Sequence, residues 1–293
     1  LVAFWRSELR TDASGRLSLR IALPPGPPRW RVEVIAAAGA TRIGSARTTI
    51  AAPQPVLATL EPPPALTVGD VWPASVLLHN RSAQPALVTA TLRLSGLQIT
   101  ATQVITRQAR LDPGATQRLS WPVVTGDVRD AGVAFTLEMA GAARQELVQR
   151  IAVRPARGDG PPTTTAQAGA TVRREYFDPA NGQRIDPANL RAGQLVGVRV
   201  SVIAVRPLAA SRLVAPLPAG FELVSSAPQP PFGPPRAEPG ELLFALRALG
   251  VGIHTQEYLV RAALPGHFIA PAPQLVLAGD VTIVGNSQHV IVE

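Results

Sequence analysis

The stretch Val88-Thr89-Ala90-Thr91-Leu92-Arg93-Leu94 decides the fold class of this 293-residue chain. Apolar and polar residues alternate strictly in it, and they alternate in the same way over residues 17–23 and 196–202. A period of two places one set of side chains on a buried face and the other in water, as in a half-buried antiparallel strand. Pro or Gly bounds each stretch. The sequence therefore predicts an all-β chain of antiparallel sandwiches with almost no helix.

Short strand candidates separated by turn residues continue through most of the chain, which is the pattern of a β-sandwich. One group of six lies between residues 66 and 155, at 71–78, 88–94, 103–106, 117–124, 133–139 and 147–153. A second group follows residue 170, at 171–177, 195–205, 213–214, 222–224, 242–247 and 257–263, with two more near the end. The only helical signal is a turn at residues 187–190.

Four segments follow from this spacing. Residues 1–52 hold strands at Trp5, at 17–23 and around Trp30, with Trp30, Val32 and Val34 predicted to face inward. About fifty residues are too few for a complete sandwich, so this is a partial domain. Residues 53–156 form a complete sandwich that opens with a Pro-rich spacer containing an edge strand. Residues 157–170 are a linker, and 171–293 are the C-terminal sandwich.

Composition excludes several classes of protein. The net charge is +8, but every basic residue is Arg, the arginines are spread along the chain, and aromatics make up 4%. Nucleic-acid sites cluster basic residues and add aromatics for stacking, so we expect no nucleic-acid partner. With no Cys, the chain has no disulfide, thiolate metal site or Cys nucleophile. No run of about 18 apolar residues is present, so no transmembrane helix is expected.

No residue set predicts catalysis, a cofactor or a metal. The four histidines, His79, His254, His267 and His289, show no metal-ligand spacing. Asp178 and Asp186 flank an Asn181-Gly182 turn, where a hairpin tip is a simpler interpretation than a carboxylate pair. We therefore expect a chain that is not an enzyme.

Four further features carry a functional alternative beside a structural one. Arg157-Gly158-Asp159 is an adhesion tripeptide or a chance match in a Gly-rich linker. Asn80-Arg81-Ser82 is a glycosylation acceptor or a turn. Trp30, Trp72 and Trp121 line a groove or fill sandwich cores and domain seams, and we favour the second. Pro230-Pro231 and Pro234-Pro235 predict a long stiff loop that faces solvent or a partner.

The order of several motifs resembles the alpha-2-macroglobulin family, especially its bacterial members. The first match is Trp5, Thr11-Asp12, Gly15, Leu23-Pro24 and Trp30-Arg31-Val32, and the second is Gly69-Asp70 with Asn80. The third is similar to the terminal macroglobulin-like domain: Arg174-Glu175-Tyr176-Phe177-Asp178 with Gly182, then residues 216–222, then 258–263, and Pro265-Gly266 with Phe268 and Pro271. Together these matches touch nearly the whole chain.

The resemblance implies fibronectin-type sandwiches in series within a large protease-trapping inhibitor. In that family a protease cuts a bait region, the shell rearranges, and a thioester formed by a Cys and a Gln can bind the attacker. This chain has no Cys, and only the linker lies where the family carries its thioester domain, so no active site is transferred.

We therefore expect a non-catalytic scaffold segment of a bacterial endopeptidase inhibitor. Its expected partners are proteases, through the full-length protein, and other domains of the same polypeptide. The expected location is the periplasm or cell envelope, with a lipid anchor at an upstream N-terminus. The alternative is a cell-envelope adhesion or protein-binding sandwich module.

Overall fold

The computed structural model describes residues 4–21, 29–38, 42–51, 54–99, 105–140, 142, 144–156, 169–246, 248–278 and 282–293. Within these ranges the chain is built of strands and turns and contains no helix. This confirms the predicted all-β class.

A two-stranded antiparallel hairpin comes first. It consists of β1 (Arg29–Ala38) and β2 (Arg42–Ala51), which pair along their whole length. No other strand in the described ranges pairs with either of them. Trp30 is buried, as predicted, but Val34 is 55% exposed, so its predicted inward orientation is wrong. The reason is that no second sheet within the described residues covers that face.

A two-sheet sandwich follows, built from residues 56–154. Its strands are β3 (Val56–Leu60), β4 (Ala65–Thr67), β5 (Val71–Asn80), β6 (Ala86–Ser95), β7 (Leu97–Ile99), β8 (Thr106–Leu111), β9 (Thr116–Thr125), β10 (Asp130–Met139) and β11 (Gln145–Arg154). One sheet has the order β4-β11-β10-β6-β8, and in the other β5 pairs with β3 and β9, with β7 beyond β9. Among the strand pairs of this sandwich that the structure describes, β4–β11 alone is parallel.

Alternating side chains fill the space between these two sheets. Val88, Ala90 and Leu92 are at most 1% exposed, as the sequence predicted. Trp121 packs on Phe135 with ring centroids 5.2 Å apart, and Trp72 is also buried. These two tryptophans therefore belong to the core, because large aromatic rings contribute much of the buried apolar area.

The C-terminal part holds a second sandwich. Its strands are β12 (Ala170–Phe177), β13 (Leu195–Ala204), β14 (Ala210–Pro216), β15 (Phe221–Ser226), β16 (Pro235–Glu238), β17 (Glu241–Ala245), β18 (Gly252–Ala262), β20 (Gln274–Leu277) and β21 (Thr282–Val284). The sheets have the orders β12-β13-β18-β15 and β16-β17-β14-β20-β21. All four alternating valines of residues 196–202 are at most 1% exposed.

An antiparallel strand pair connects the two sandwiches. It consists of β19 (Gly266–Ala270) and β22 (Gln288–Val292), and β20 and β21 lie between these two strands in the sequence. His267 on β19 pairs with Val71 at the start of β5, so the strand pair extends a sheet of the first sandwich. On its other side β22 pairs with Leu190 of the C-terminal part.

The predicted strand at residues 17–23 is wrong in its described part. Residues 17–21 are not in a strand, and Leu17 and Leu19 are 45% and 42% exposed. Alternation describes what a strand would bury, but a strand also needs a hydrogen-bonded neighbour, and this segment has none among the described residues. Trp5, 78% exposed, is likewise outside any strand.

The sequence also missed short strands. β4, β7 and β16 are three or four residues long, and such lengths are below what alternation can detect. Half of the candidate at 103–106 lies outside the described residues, Ile105 is not in a strand, and its last member begins β8. The domain boundaries proposed from the sequence stay predictions.

Candidate functional site

The contact between the two sandwiches holds several buried polar groups, and we call it the joint. It comprises residues 65–71 and Arg154 of the first sandwich, and residues 238–241 and 266–270 of the C-terminal part. It lies at the strand ends of both.

Asp70 is the central residue of the joint, and it has no solvent exposure. Its Oδ2 accepts a 2.7 Å hydrogen bond from the backbone N–H of Thr67, which closes the tight turn between β4 and β5. Its Oδ1 accepts a 2.7 Å bond from the N–H of Ile269 on β19. One carboxyl group therefore bonds both its own turn and the β19–β22 strand pair that connects the two sandwiches.

The surroundings of Asp70 shift its protonation. Burial raises the pKa of Asp70 to about 7, and the N–H donors of Ile269 and Thr67 act in the opposite direction without cancelling this effect. A buried carboxyl group is costly to ionise because its charged form loses hydration. Close to neutral pH, both protonation states of Asp70 are therefore accessible.

Arg154 forms the second contact across the joint. Its guanidinium donates to the carbonyl oxygens of Pro239 and Gly240, at 2.6 and 2.7 Å, and lies 3.3 Å from a carboxylate oxygen of Glu241. Both charged side chains are only about a quarter exposed. Charge-assisted bonds from a planar guanidinium fix orientation as well as distance, so this contact sets the angle between the two bodies.

Two glycines allow the backbones to approach here. A Cβ on Gly240, which has a φ of +73°, would lie 2.8 Å from Cβ of Ala65. A Cβ on Gly266 would lie 2.5 Å from the carbonyl oxygen of Val71. Only glycine fits both the left-handed backbone and the space at these positions.

An open cleft of about 530 Å³ lies beside the joint. Val214 and Leu243 contribute apolar surface to it, and Arg154, Arg212, Arg236 and Glu241 contribute charges. The arginines and glutamates do not form a nucleophile–base or metal-ligand constellation.

A buried arginine bonds the connecting β19–β22 strand pair to the C-terminal sandwich. Arg174 is 6% exposed, and its guanidinium donates to Gln288 on β22, to the carbonyl of Pro216, and to the carbonyl of Ala270 on β19. It also lies 5.7 Å from the ring centroid of Tyr176. Burial raises the pKa of Tyr176 and Tyr258, so both phenols stay protonated. Polar contacts therefore hold the β19–β22 strand pair to both sandwiches, through Asp70 of the first and Arg174 of the second.

The structure separates most of the histidines. His79 contacts Thr116 and His254 contacts the carbonyl of Gly250. His267 and His289 are diagonal neighbours on one face of the β19–β22 strand pair, and both are exposed. No group of three His, Asp or Glu side chains that could hold a metal is formed within the described ranges.

The two aspartates proposed as a hairpin tip each support a turn. Oδ1 of Asp178 accepts from the N–H of Ala180, and Oδ1 of Asp186 accepts from the N–H of Ala188. Each bond spans two residues, which is the Asx-turn arrangement. The turn interpretation is confirmed.

Asn80 serves a structural role. It has no exposure, and its amide donates to the carbonyls of Gln84, Leu111 and Asp112 while its oxygen accepts from Ser82. The side chain is thus fully engaged in the turn and is not presented for glycosylation.

The Arg157-Gly158-Asp159 tripeptide lies outside the described residues.

The Pro-rich loop after β15 is hydrogen-bonded to Gln256, a fully buried residue of β18. Its amide donates to the carbonyl of Ala227 and accepts from the N–H of Gln229, while Phe232 inserts against Phe244. This Pro-rich loop is therefore bonded to a residue that the sequence analysis did not single out. Arg154 was missed in the same way, and Asp70 was named only within the second family match.

A search of the described residues for a long apolar helix that could cross a membrane finds none.

Comparisons with known proteins agree with the motifs. A sequence profile described as "Alpha-2-macroglobulin family" matches residues 2–92, and one described as "Bacterial Alpha-2-macroglobulin MG10 domain" matches residues 169–230. Between them they cover just over half of the chain. The chain belongs to the alpha-2-macroglobulin family.

One curated relative is the alpha-2-macroglobulin homolog of Nostoc sp., which is 26% identical over 147 residues. The aligned region covers 48% of this chain and 8% of that protein, so the chain spans less than a tenth of the relative's length.

Solved structures share the fold at low identity. Native alpha-2-macroglobulin from Escherichia coli, spanning domain MG7 to the C-terminus, has a TM-score of 0.68 at 10% identity, over 82% of this chain and 99% of that one. Salmonella alpha-2-macroglobulin reacted with methylamine has a TM-score of 0.71 at 11% identity, over 96% and 43%. The Escherichia coli protein activated by porcine elastase has a TM-score of 0.69 at 10% identity, over 96% and 60%.

Proposed function

We propose that this chain is a non-catalytic scaffold segment of a bacterial alpha-2-macroglobulin-like endopeptidase inhibitor that traps proteases by conformational change. The observation that carries the proposal is the joint. Two sandwiches, one of them matching the bacterial MG10 profile, are held together by Asp70 and Arg154 through contacts that do not depend on the linker.

Two further facts support this function. Solved relatives of the same fold are described as activated by trypsin or by elastase, so proteases are the expected partners of the full-length protein. The sequence holds no Cys, so thioester capture is not a task of these residues. We place the full-length protein in the periplasm or cell envelope.

The β1–β2 hairpin favours a second candidate, a protein-binding or adhesion module. Ile35 and Ile43 are 66% and 79% exposed on it, and neither edge pairs with another described strand. Exposed apolar surface and free strand edges are features of protein-binding sites.

Incubation of the full-length protein with several unrelated proteases tests the proposal. We expect each protease to cut one exposed segment, after which the captured protease keeps its activity on small chromogenic substrates and loses it on large protein substrates. A protease inactivated in advance serves as the control, because it should leave the inhibitor uncut and untriggered. Unchanged activity on large substrates after cleavage would reject trapping and leave the protein-binding candidate.

A further inference from the structure

We propose that Asp70 makes the joint sensitive to pH: the joint is tighter when this carboxyl group is protonated and opens more readily when it is ionised. The use of such a joint in the whole protein rests on the proposed scaffold function. The opening itself is a property of this chain and is measured without any protease.

The position of Asp70 is the basis of the inference. The carboxyl group is fully enclosed between the β4–β5 turn and β19, with one oxygen bonded to each. Separation of the two bodies breaks the bond to Ile269 and lets water reach the group. Any free-energy cost of keeping a charge there is therefore present in the closed joint and relieved in the open one.

No opposite charge compensates Asp70 in the part of the chain that the structure describes. The charged or titratable side chains on the elements around it include His267 on β19, His289 on β22 opposite Ile269, Arg154 at the end of β11, and Asp127 after β9. His267, His289 and Asp127 are exposed, and the guanidinium of Arg154 is bonded to Pro239, Gly240 and Glu241. Two backbone N–H donors are the only polar partners of the carboxyl group in the described residues.

The direction of the pH effect follows from linkage. In the closed joint burial raises the pKa of Asp70 to about 7, whereas a solvated Asp has a pKa of about 4. Between these values the closed joint binds more protons than the open one. Raising the pH through this window therefore favours opening, and outside the window the balance no longer changes.

Hydrogen exchange at the backbone amide of Ile269 reports the opening, because this amide is bonded to Asp70 itself. After correction for intrinsic exchange, we expect its protection factor to fall by up to about tenfold per pH unit between about pH 4.5 and 6.5, and to level off above about pH 7.5. The amide of Val200 lies in the middle of β13, between two paired strands, and should keep constant protection.

Two variants complete the experiment. Asp70→Asn retains an acceptor for Ile269 but cannot ionise, so the protection of Ile269 should lose its pH dependence. Asp127→Asn removes an exposed carboxyl group nearby and should behave like the wild type. Protection at Val200 shows that each variant is folded.

A wild-type protection factor that stays constant from pH 4.5 to 7.5, or one that falls equally in Asp70→Asn, would overturn the inference. Neither result would affect the protease test, and a failure of trapping would leave this exchange behaviour unchanged. The two proposals can therefore fail separately.

Discussion

Individual polar side chains connect the strand ends of this protein. Asn80, Arg174 and Gln256 are almost fully buried, and each bonds at least two backbone groups at strand ends or in turns. Buried backbone groups need partners, since an unpaired one costs about 1–3 kcal/mol. These side chains therefore supply, at turns and crossings, the bonds that neighbouring strands supply within the sheets.

Asn80 gives the clearest test at this scale. We expect Asn80→Ala to lower the free energy of unfolding by about 2–4 kcal/mol, because several buried carbonyls lose their donor at once. Urea unfolding followed by tryptophan fluorescence measures the change. Asn181→Ala is the control, since Asn181 is exposed and makes a single local bond to Gln183, so its cost should be below about 1 kcal/mol. Equal costs in the two variants would contradict the connecting role.

At the scale of strands, alternation alone predicted burial correctly wherever a partner sheet exists. Residues 88–94 and 196–202 became central strands with buried apolar sets, whereas Leu17 and Leu19 lie in a stretch of the same pattern and stay exposed. The pattern specifies which face a strand would bury, but it holds no information on whether another strand pairs with it. Val34 illustrates the same limit within a strand that does form.

The turn at Gly240 tests the close approach of the two bodies. Gly240 and Gly182 share a φ of +73°, but of the two only Gly240 would bring an added Cβ into a clash, at 2.8 Å from the Cβ of Ala65. We expect Gly182→Ala to cost about 1–2 kcal/mol from the left-handed conformation alone. Gly240→Ala adds the clash with Ala65, so we expect a total of about 2–4 kcal/mol. Thermal or urea unfolding measures both, and similar losses would show that the joint is loosely packed.

At the scale of the whole molecule, the two sandwiches were predictable and the joint was not. Pro, Gly and other turn residues between the strand candidates predicted both sandwiches, because the residues that form a turn are neighbours in the sequence. Asp70 and Ile269 lie 199 residues apart, and Arg154 and Gly240 lie 86 apart. In a single sequence Gly69-Asp70 reads as an ordinary turn, and nothing in it shows that a strand end from another part of the chain closes over the carboxyl group.

The relative orientation of the two sandwiches is the central claim, and a distance measurement between them tests it most directly. The chain has no Cys, so spin labels at Ala83→Cys and Ala180→Cys, two exposed turn positions, report only this separation. At pH 5 we expect a single narrow distance distribution, which broadens when Asp70→Ala and Arg154→Ala are added together. A distribution in the otherwise unmodified chain as broad as in that double variant would contradict a fixed joint.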